Sequence, residues 1–582
     1  MSKYNKYPVV KAPGEYRVRK GWEDIGDRLS SIEKTNNKLV IVIDYYQGVL
    51  EEDVTSNLMK YLNPDYHFSS QEAMLSEEKI QQLVFPDVTD DRVFGYMSRL
   101  SIENFFEGVK LDELSEKIDQ LHGTILITGP GAALLYPKYD VLVYADMARW
   151  EIQQRMRKKQ VDNLGVRNRE TKDWMLLYKQ GFFVDWRVLD KWKKRLMDKW
   201  DFYLDTNNTD QPKMVEARAI FDGLEQCLKQ PFSVVPFFDP GPWGGQWMKE
   251  NCDLDPGEKN YAWCFNCVPE ENSLLFEIGG EIIETPSINL IFVHPENLLG
   301  AGVHARFGDE FPIRFDFLDT MEGGNLSLQV HPLTEYIQDK FGMHYTQDES
   351  YYLMDVGKDA HVYLGLKEKV NPAKMIEDLK IAESGEQSFD AEKYIEKWPV
   401  NKHDHILIPA GTVHCSGTNS MVLEISATPY IFTFKLWDWG RLGLDGKPRP
   451  INVEHGKNNI CWSRTTDWTK KELINQVSII DQGKNWVEEK TGLHQREFIE
   501  TRRHWFYGEV YHENDYGVNV LCLIEGDEIS VECPENSFQP FRVHYAEVFI
   551  IPATIKSYVI KPIDQKPGKK YGTIKAFVRQ NA

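Results

Sequence analysis

Apolar residues between positions 38 and 160 come in short runs, "KLVIVIDYY", "GTILITGPGAALL" and "YDVLVYADM", separated by amphipathic stretches. Runs of that length bounded by turn residues read as buried strands, and their alternation with amphipathic segments predicts a parallel sheet flanked by helices. "ARWEIQQRMRKK" reads as a basic helix. Across 170–230 aromatic and aliphatic positions recur at spacings of three and four, as in "DWRVLDKWKKRLMDKWDFYLD", which predicts a helical, linker-like stretch whose aromatic stripe serves packing. From about residue 235 the pattern changes to short strands punctuated by Gly and Pro, the signature of an all-β sandwich or barrel. One interruption, "NPAKMIEDLKIAESGEQSFDAEKYIEKW", predicts two helices inserted at about 366–400. The expected fold is multidomain: an α/β domain with a helical linker over 1–215, a β domain over 216–450 carrying the helical insertion, and a second β domain over 451–582.

Length agrees with that division, since 582 residues exceed what one hydrophobic core supports. The longest apolar runs are strand-length, far short of the roughly 20 residues a membrane helix needs, so no membrane association is expected. The opening segment "MSKYNKYPVVKAPGEYRVRK" has no apolar core followed by small residues, so no secretory signal is read and a cytoplasmic location is expected. A formal net charge of −21 argues against nucleic acid and anionic lipid as partners. It leaves room for a small anionic substrate wherever a local basic cluster overrides the field. Eight cysteines are too sparse for a disulfide framework. "CFNC" at 264–267 supplies only half of a usual structural zinc site.

The strand, turn and helix order over residues 38–160, ending in "YDVLVYAD" and an Arg-rich helix, resembles the nucleoside and uridine kinase branch of P-loop proteins. The loop after the first strand departs from that pattern. "DYYQGVLEEDVTSNL" keeps Gly48 but sets Glu51, Glu52 and Asp53 where backbone amides and a lysine should meet phosphates. A domain without phosphoryl transfer, used for docking or regulation, is therefore expected, with an unrelated α/β domain as the alternative. Arg155, Arg157, Lys158 and Lys159 form either a leftover phosphate lid or, the favoured reading, a solvated helix face.

Candidate chemistry concentrates in the β-rich half. In "LSLQVHP" Gln329 and His331 stand two apart, on one face of a strand. Glu349 opens the next strand in "DESYYLMDV", and His414 follows the Pro409–Gly411 turn in "HILIPAGTVHCSG". Two imidazoles, a carboxylate and an amide oxygen with one open position suit a catalytic zinc better than a closed structural site. The same donors accept manganese, iron or cobalt.

"FPIRFDFLDTMEGGNLSLQVHP", "DESYYLMDV", "HILIPAGTVHCSG" and "FKLWDWGR", in that order, resemble the class I mannose-6-phosphate isomerases, a zinc-dependent cupin family. The likeness runs from "PWGGQWM" at 242 to the end of the chain. It implies an all-β double cupin (jelly-roll) fold behind the P-loop-like α/β domain, with the insertion between Glu349 and His414 and a second barrel that holds no metal. It further implies one Zn2+ per chain on Gln329, His331, Glu349 and His414, with Glu424 of "VLEIS" at an acidic position of the family. The implied reaction interconverts mannose 6-phosphate and fructose 6-phosphate through a cis-enediol. Lys435, Glu424 and Arg441 are its expected catalytic side chains.

Three cationic positions of the family differ. Lys435 stands for an arginine, Gln347 for a lysine before the glutamate ligand, and Asp316 for a lysine in "FPIRFDFLD". Lysine keeps the charge and loses the guanidinium fork. Phosphate binding should weaken or shift to Arg314, Arg306, Arg441 or Arg449. Two further readings follow: a zinc cupin isomerase or epimerase on another sugar, and a non-catalytic sugar-binding or sensing protein. His344, His403 and His405 read as surface or supporting residues, and Trp437 and Trp439 as pocket or barrel packing. Oligomeric state is left open.

Overall fold

The structure, a computed structural model, describes residues 3–428, 431–442, 449–495, 497–515, 517–564 and 568–579. It divides into two compact units. One comprises Val9–Gln226 with Pro269–Val293, the other Met1–Pro8, Cys227–Val268 and His294–Ala582.

The first unit is built on a seven-stranded sheet. Strands β1 (Lys38–Tyr45), β2 (Tyr66–Ser69), β3 (Gly123–Gly129), β4 (Val141–Asp146) and β5 (Phe202–Asp205) run parallel in the order β2-β3-β1-β4-β5. Strand β6 (Lys213–Glu216) then adds antiparallel to β5. β1 and β4 are buried almost throughout, as their unbroken apolar runs require of strands covered on both faces. Helix α1 (Glu51–Leu62) follows β1, α2 (Arg149–Arg157) follows β4, and α3 (Trp186–Leu196) precedes β5.

The stretch expected to be a helical linker is integral to this unit. Its end supplies β5 and β6, whose Phe202, Leu204 and Met214 join the sheet core, and the unit runs on to Gln226. The unit also takes in Pro269–Val293, whose strands Ser273–Ile278 and Glu281–Pro286 form a hairpin, the first of them pairing with Val9–Lys11. A boundary at 215–216 does not follow these contacts. On α2, Arg155 is no solvated residue: it is buried and donates to the carbonyls of Gly48 and Thr206.

The second unit holds two β-sandwiches. In the first, a six-stranded sheet contains β7 (Ile313–Asp319), β9 (Glu349–Val356), β12 (His405–Ile408) and β14 (Ser420–Ala427). Facing it, a five-stranded sheet contains β8 (Leu328–Val330), β10 (His361–Leu366), β11 (Ile395–Pro399), β13 (His414–Ser416) and β15 (Phe434–Trp437). The second sandwich pairs a six-stranded with a four-stranded sheet around Phe506, Leu521, Ile529, Phe549 and Ile560. Among the described residues no helix is long and apolar enough to cross a membrane.

The insertion carries one α-helix, α4 (Pro372–Glu383), rather than two. Asn371 caps it by accepting from the Lys374 N–H, and Pro372 occupies its first turn. The second expected helix is a 3-10 turn at Ala391–Lys393 leading into β11, which gains ladder hydrogen bonds from β10 that a helix there would forgo.

Lys575 is buried in the second sandwich. Burial pushes its pKa down to about 8 against the opposing pull of Glu488. Between about pH 8 and pH 10.4 the unfolded chain then binds more protons than the folded one, so stability rises across that window and the penalty is complete below it. Lys575→Met is expected to raise Tm at neutral pH and to flatten the rise in Tm between those two pH values.

Candidate metal centre

The two sheets of the first sandwich bring donors from opposite sides into one buried group. Cross-strand register places Gln329 of β8 beside His414 of β13 and Lys435 of β15, so the three share a face. His331 lies two residues on from Gln329 along the chain. From the facing sheet, Glu349 opens β9 opposite Ser426 of β14, which in turn pairs with Arg314 of β7. His331, Glu349 and His414 each offer a ligand atom within 4.8 Å of the others, and all three are buried. The amide nitrogen of Gln329 comes to 3.2 Å from His414 Nε2.

The imidazoles are set by backbone carbonyls. His331 Nδ1 lies 3.1 Å from the Phe432 carbonyl, and His414 Nδ1 lies 2.9 Å from that of Thr412. A carbonyl only accepts, so each Nδ1 carries a proton and each ring turns its Nε2 inward. The two Nε2 atoms lie 3.0 Å and 2.8 Å from Glu349 oxygens. Positive charge is needed at that distance, supplied either by a proton on each Nε2 or by a cation that the two Nε2 lone pairs and the carboxylate would share. His331 Nε2 and Glu349 Oε1 are also buried without a hydrogen-bond partner. The donor set fits a divalent cation, with the second ring nitrogens tied down as metal-ligating histidines usually are.

Local charge agrees. Glu349, Glu424 and Asp316 share the guanidinium of Arg314, which bonds Glu424 and lies 2.6 Å from Asp316. Fully ionised, the three carboxylates would exceed the guanidinium by two charges, a surplus that a divalent ion would neutralise and that protonation otherwise relieves. Burial raises the Glu349 pKa, yet His331 and His414 bring it well below the usual carboxylate range. Burial and then the charge of Glu349 push Glu424 well above that range. Asp316 is raised by burial to about 7 despite Arg314.

Of the other residues singled out from sequence, Lys435 is half-buried, with its pKa pushed down to about 8 by burial and by Arg449. Arg441 and Arg449 both pair with Asp438, Arg449 at 3.0 Å. This cationic group around Asp438 was legible only in its arginines, because an aspartate inside "WDWGR" carries no signal of its own. Arg314 is taken up by carboxylates. Arg306 stacks over Phe307 and Phe498. His403 bonds Tyr352 and Glu525, while burial depresses the pKa of His405 to about 3. Trp437 is buried, and Trp439 donates to the Leu326 carbonyl. Cys264 and Cys267 are buried.

Fold and site together define a double β-sandwich protein with a His–Glu–His group fit for a metal in its first sandwich, joined in one chain to an α/β unit. Over 226 residues, 39% of its length, the chain is 25% identical to mannose-6-phosphate isomerase ManA of Bacillus subtilis (strain 168), covering 66% of that protein. It is 24% identical over 215 residues to mannose-6-phosphate isomerase of Streptococcus mutans, covering 36% of this chain and 62% of that one. The chain is thus homologous to mannose-6-phosphate isomerases over part of its length, and spans about two thirds of these curated relatives. The crystal structure of mannose 6-phosphate isomerase from Bacillus subtilis aligns with a TM-score of 0.48 at 18% identity, over 60% of this chain and 99% of that one. Residues 21–229 match a domain of unknown function (DUF8485).

Proposed function

We infer that this chain is a zinc-dependent aldose–ketose isomerase of the cupin type that interconverts mannose 6-phosphate and fructose 6-phosphate. The observation that carries the reading is the convergence of Gln329, His331, Glu349 and His414, with two inward Nε2 atoms against a buried carboxylate. Homology to proteins named mannose-6-phosphate isomerase supplies the substrate class.

The reaction moves a proton between C2 and C1 of the sugar through a cis-enediol. A divalent ion on Gln329, His331, Glu349 and His414 would polarise the substrate carbonyl and stabilise the charge that develops on its oxygen. Glu424 stands two residues along β14 from Ser426, which lies opposite Glu349, and Arg314 orients it. The Glu424 oxygen not held by Arg314 takes the C2 proton and returns it to C1. Lys435, in register with Gln329 on β15, draws the substrate phosphate to that side of the metal group, with Arg441 and Arg449 adding positive charge around Asp438.

The test is a coupled assay of mannose 6-phosphate turnover with and without a chelator. Turnover that the chelator abolishes and zinc restores supports the reading, and none under any metal defeats it. Lys435→Met is expected to raise KM for mannose 6-phosphate about tenfold or more, with a smaller change in kcat, since a charge-assisted contact of roughly 1.5–3 kcal/mol is lost. Arg314 favours a second reading. With its guanidinium engaged by Glu424 and Asp316, fewer cations face a phosphate, and a zinc cupin isomerase or epimerase on an unphosphorylated sugar follows. Turnover of free sugars alone would select it.

A further inference from the structure

The α/β unit contains a cavity of about 1410 Å3 outside the carboxyl ends of its parallel strands, reached by the loop after β1, the ends of β2 and β3, and the segment 159–170. That is where open α/β sheets bind ligands. The volume exceeds the roughly 300–1,000 Å3 of an ordinary small-molecule pocket. Its chemistry is unlike that of a phosphate site. Helix α1 starts at the cavity, and its first turn is Glu51, Glu52 and Asp53, so carboxylates stand where an anion would be drawn.

The cations of the wall are already matched. Arg169 pairs with Asp162 at 2.7 Å, Lys159 with Glu170 at 3.4 Å, Lys110 with Glu107 at 3.5 Å and Arg167 with Glu77 at 3.9 Å. Among the described wall residues no lysine or arginine is left unpaired for a phosphate.

Uncharged donors and acceptors make up the rest of the polar lining. Thr128 Oγ1 contacts His67 Nε2 at 2.9 Å and Thr55 Oγ1 at 3.4 Å, and Gln71 donates to Glu51 at 3.1 Å. Gln47 is 6% exposed. Its amide nitrogen donates to the Asp162 carbonyl and to Asp185, while its Oε1 is buried without a partner. Burial also raises the Glu51 carboxyl to about 7, which lowers the cost of meeting an uncharged ligand.

We propose that this cavity is a binding site for an uncharged polyhydroxylated molecule, a free sugar or polyol, held by Glu51, Gln71 and Thr128. Hydroxyl groups donate to the Glu51 oxygens and accept from Gln71 and Thr128. The site is separate from the metal group of the β-sandwich unit and stands whether or not isomerase turnover is found.

The full-length chain is tested by hydrogen exchange and calorimetry with D-mannitol, D-mannose and sucrose at millimolar concentration. ATP, inorganic phosphate, putrescine and uridine form the contrasting arms. Saturable protection of residues 47–56 and 66–77 by at least one of the three carbohydrates is expected. Thr128→Val, which is isosteric, and Glu51→Gln on the first turn of α1 should each weaken that binding about tenfold, the loss of roughly one good hydrogen bond. Mannose 6-phosphate turnover, assayed alongside, should not change in either variant. Absence of protection by every carbohydrate overturns the proposal. So does protection of these segments by ATP, phosphate or putrescine, or by uridine alone, or carbohydrate affinity that both variants leave unchanged.

Discussion

Replacing His331 by alanine should strip the purified protein of its bound metal and lower mannose 6-phosphate turnover by at least about a hundredfold, the scale set by losing a group that stabilises developing charge. His331 supplies one of only two imidazoles in the group, and its Nε2 lies 3.0 Å from Glu349. The substitution also leaves Glu349 facing a single ring, so two of the interactions that hold the carboxylate in place are reduced to one. Elemental analysis of wild type and variant, read beside the coupled assay, checks both consequences. A chelator should lower the Tm of the wild type, because a ligand bound only by the folded state adds to its stability, and should leave the Tm of His331→Ala unmoved. Retention of metal and turnover by the variant would move the centre elsewhere in the chain.

Lys193→Met should destabilise the α/β unit by about 3–5 kcal/mol, the usual consequence of leaving one partner of a buried ion pair uncompensated. Lys193 on α3 and Asp146 at the end of β4 are almost wholly inaccessible, 1% and 0% exposed. The ammonium reaches both carboxylate oxygens, at 2.8 Å and 2.9 Å. Asn289 completes the group, donating to Asp146 at 2.8 Å and accepting from Lys193 at 3.2 Å, and the ammonium also lies over the Tyr46 ring. The pair therefore joins the sheet, a crossing helix and the segment 269–293 within one unit. Equilibrium denaturation of the single variant and of Lys193→Met/Asp146→Leu separates the terms. The double variant removes the orphaned charge and should recover much of the loss. A single variant within 1 kcal/mol of wild type would show the site is open to water.

Much of the architecture was legible locally. Unbroken apolar runs mark β1, β3 and β4 because strands covered on both faces need apolar side chains in both directions. Gln329 and His331 share a face through the period of two along a strand. Charge compensation was not legible. Asp316 reads as a lost cation from sequence, yet it answers Arg314 two residues away and faces Glu424, 108 positions along, across a strand pair. The second helix expected in the insertion failed for a related reason: Ile395–Pro399 has an edge of β10 to pair with, and a partner strand outweighs local helical preference.

The linear chain by itself determined the alternation of strands and helices, the carboxylates on the first turn of α1, and which residue types could serve as donors to a metal. Those features follow from side-chain chemistry and from periodicities a few residues long. Only the tertiary structure decided that Pro269–Val293 packs with the α/β unit, that three carboxylates share one guanidinium beside His331 and His414, and that a large cavity opens above β1. Each depends on which distant segments pair and on what their burial leaves uncompensated, and neither quantity is written in any short window of sequence.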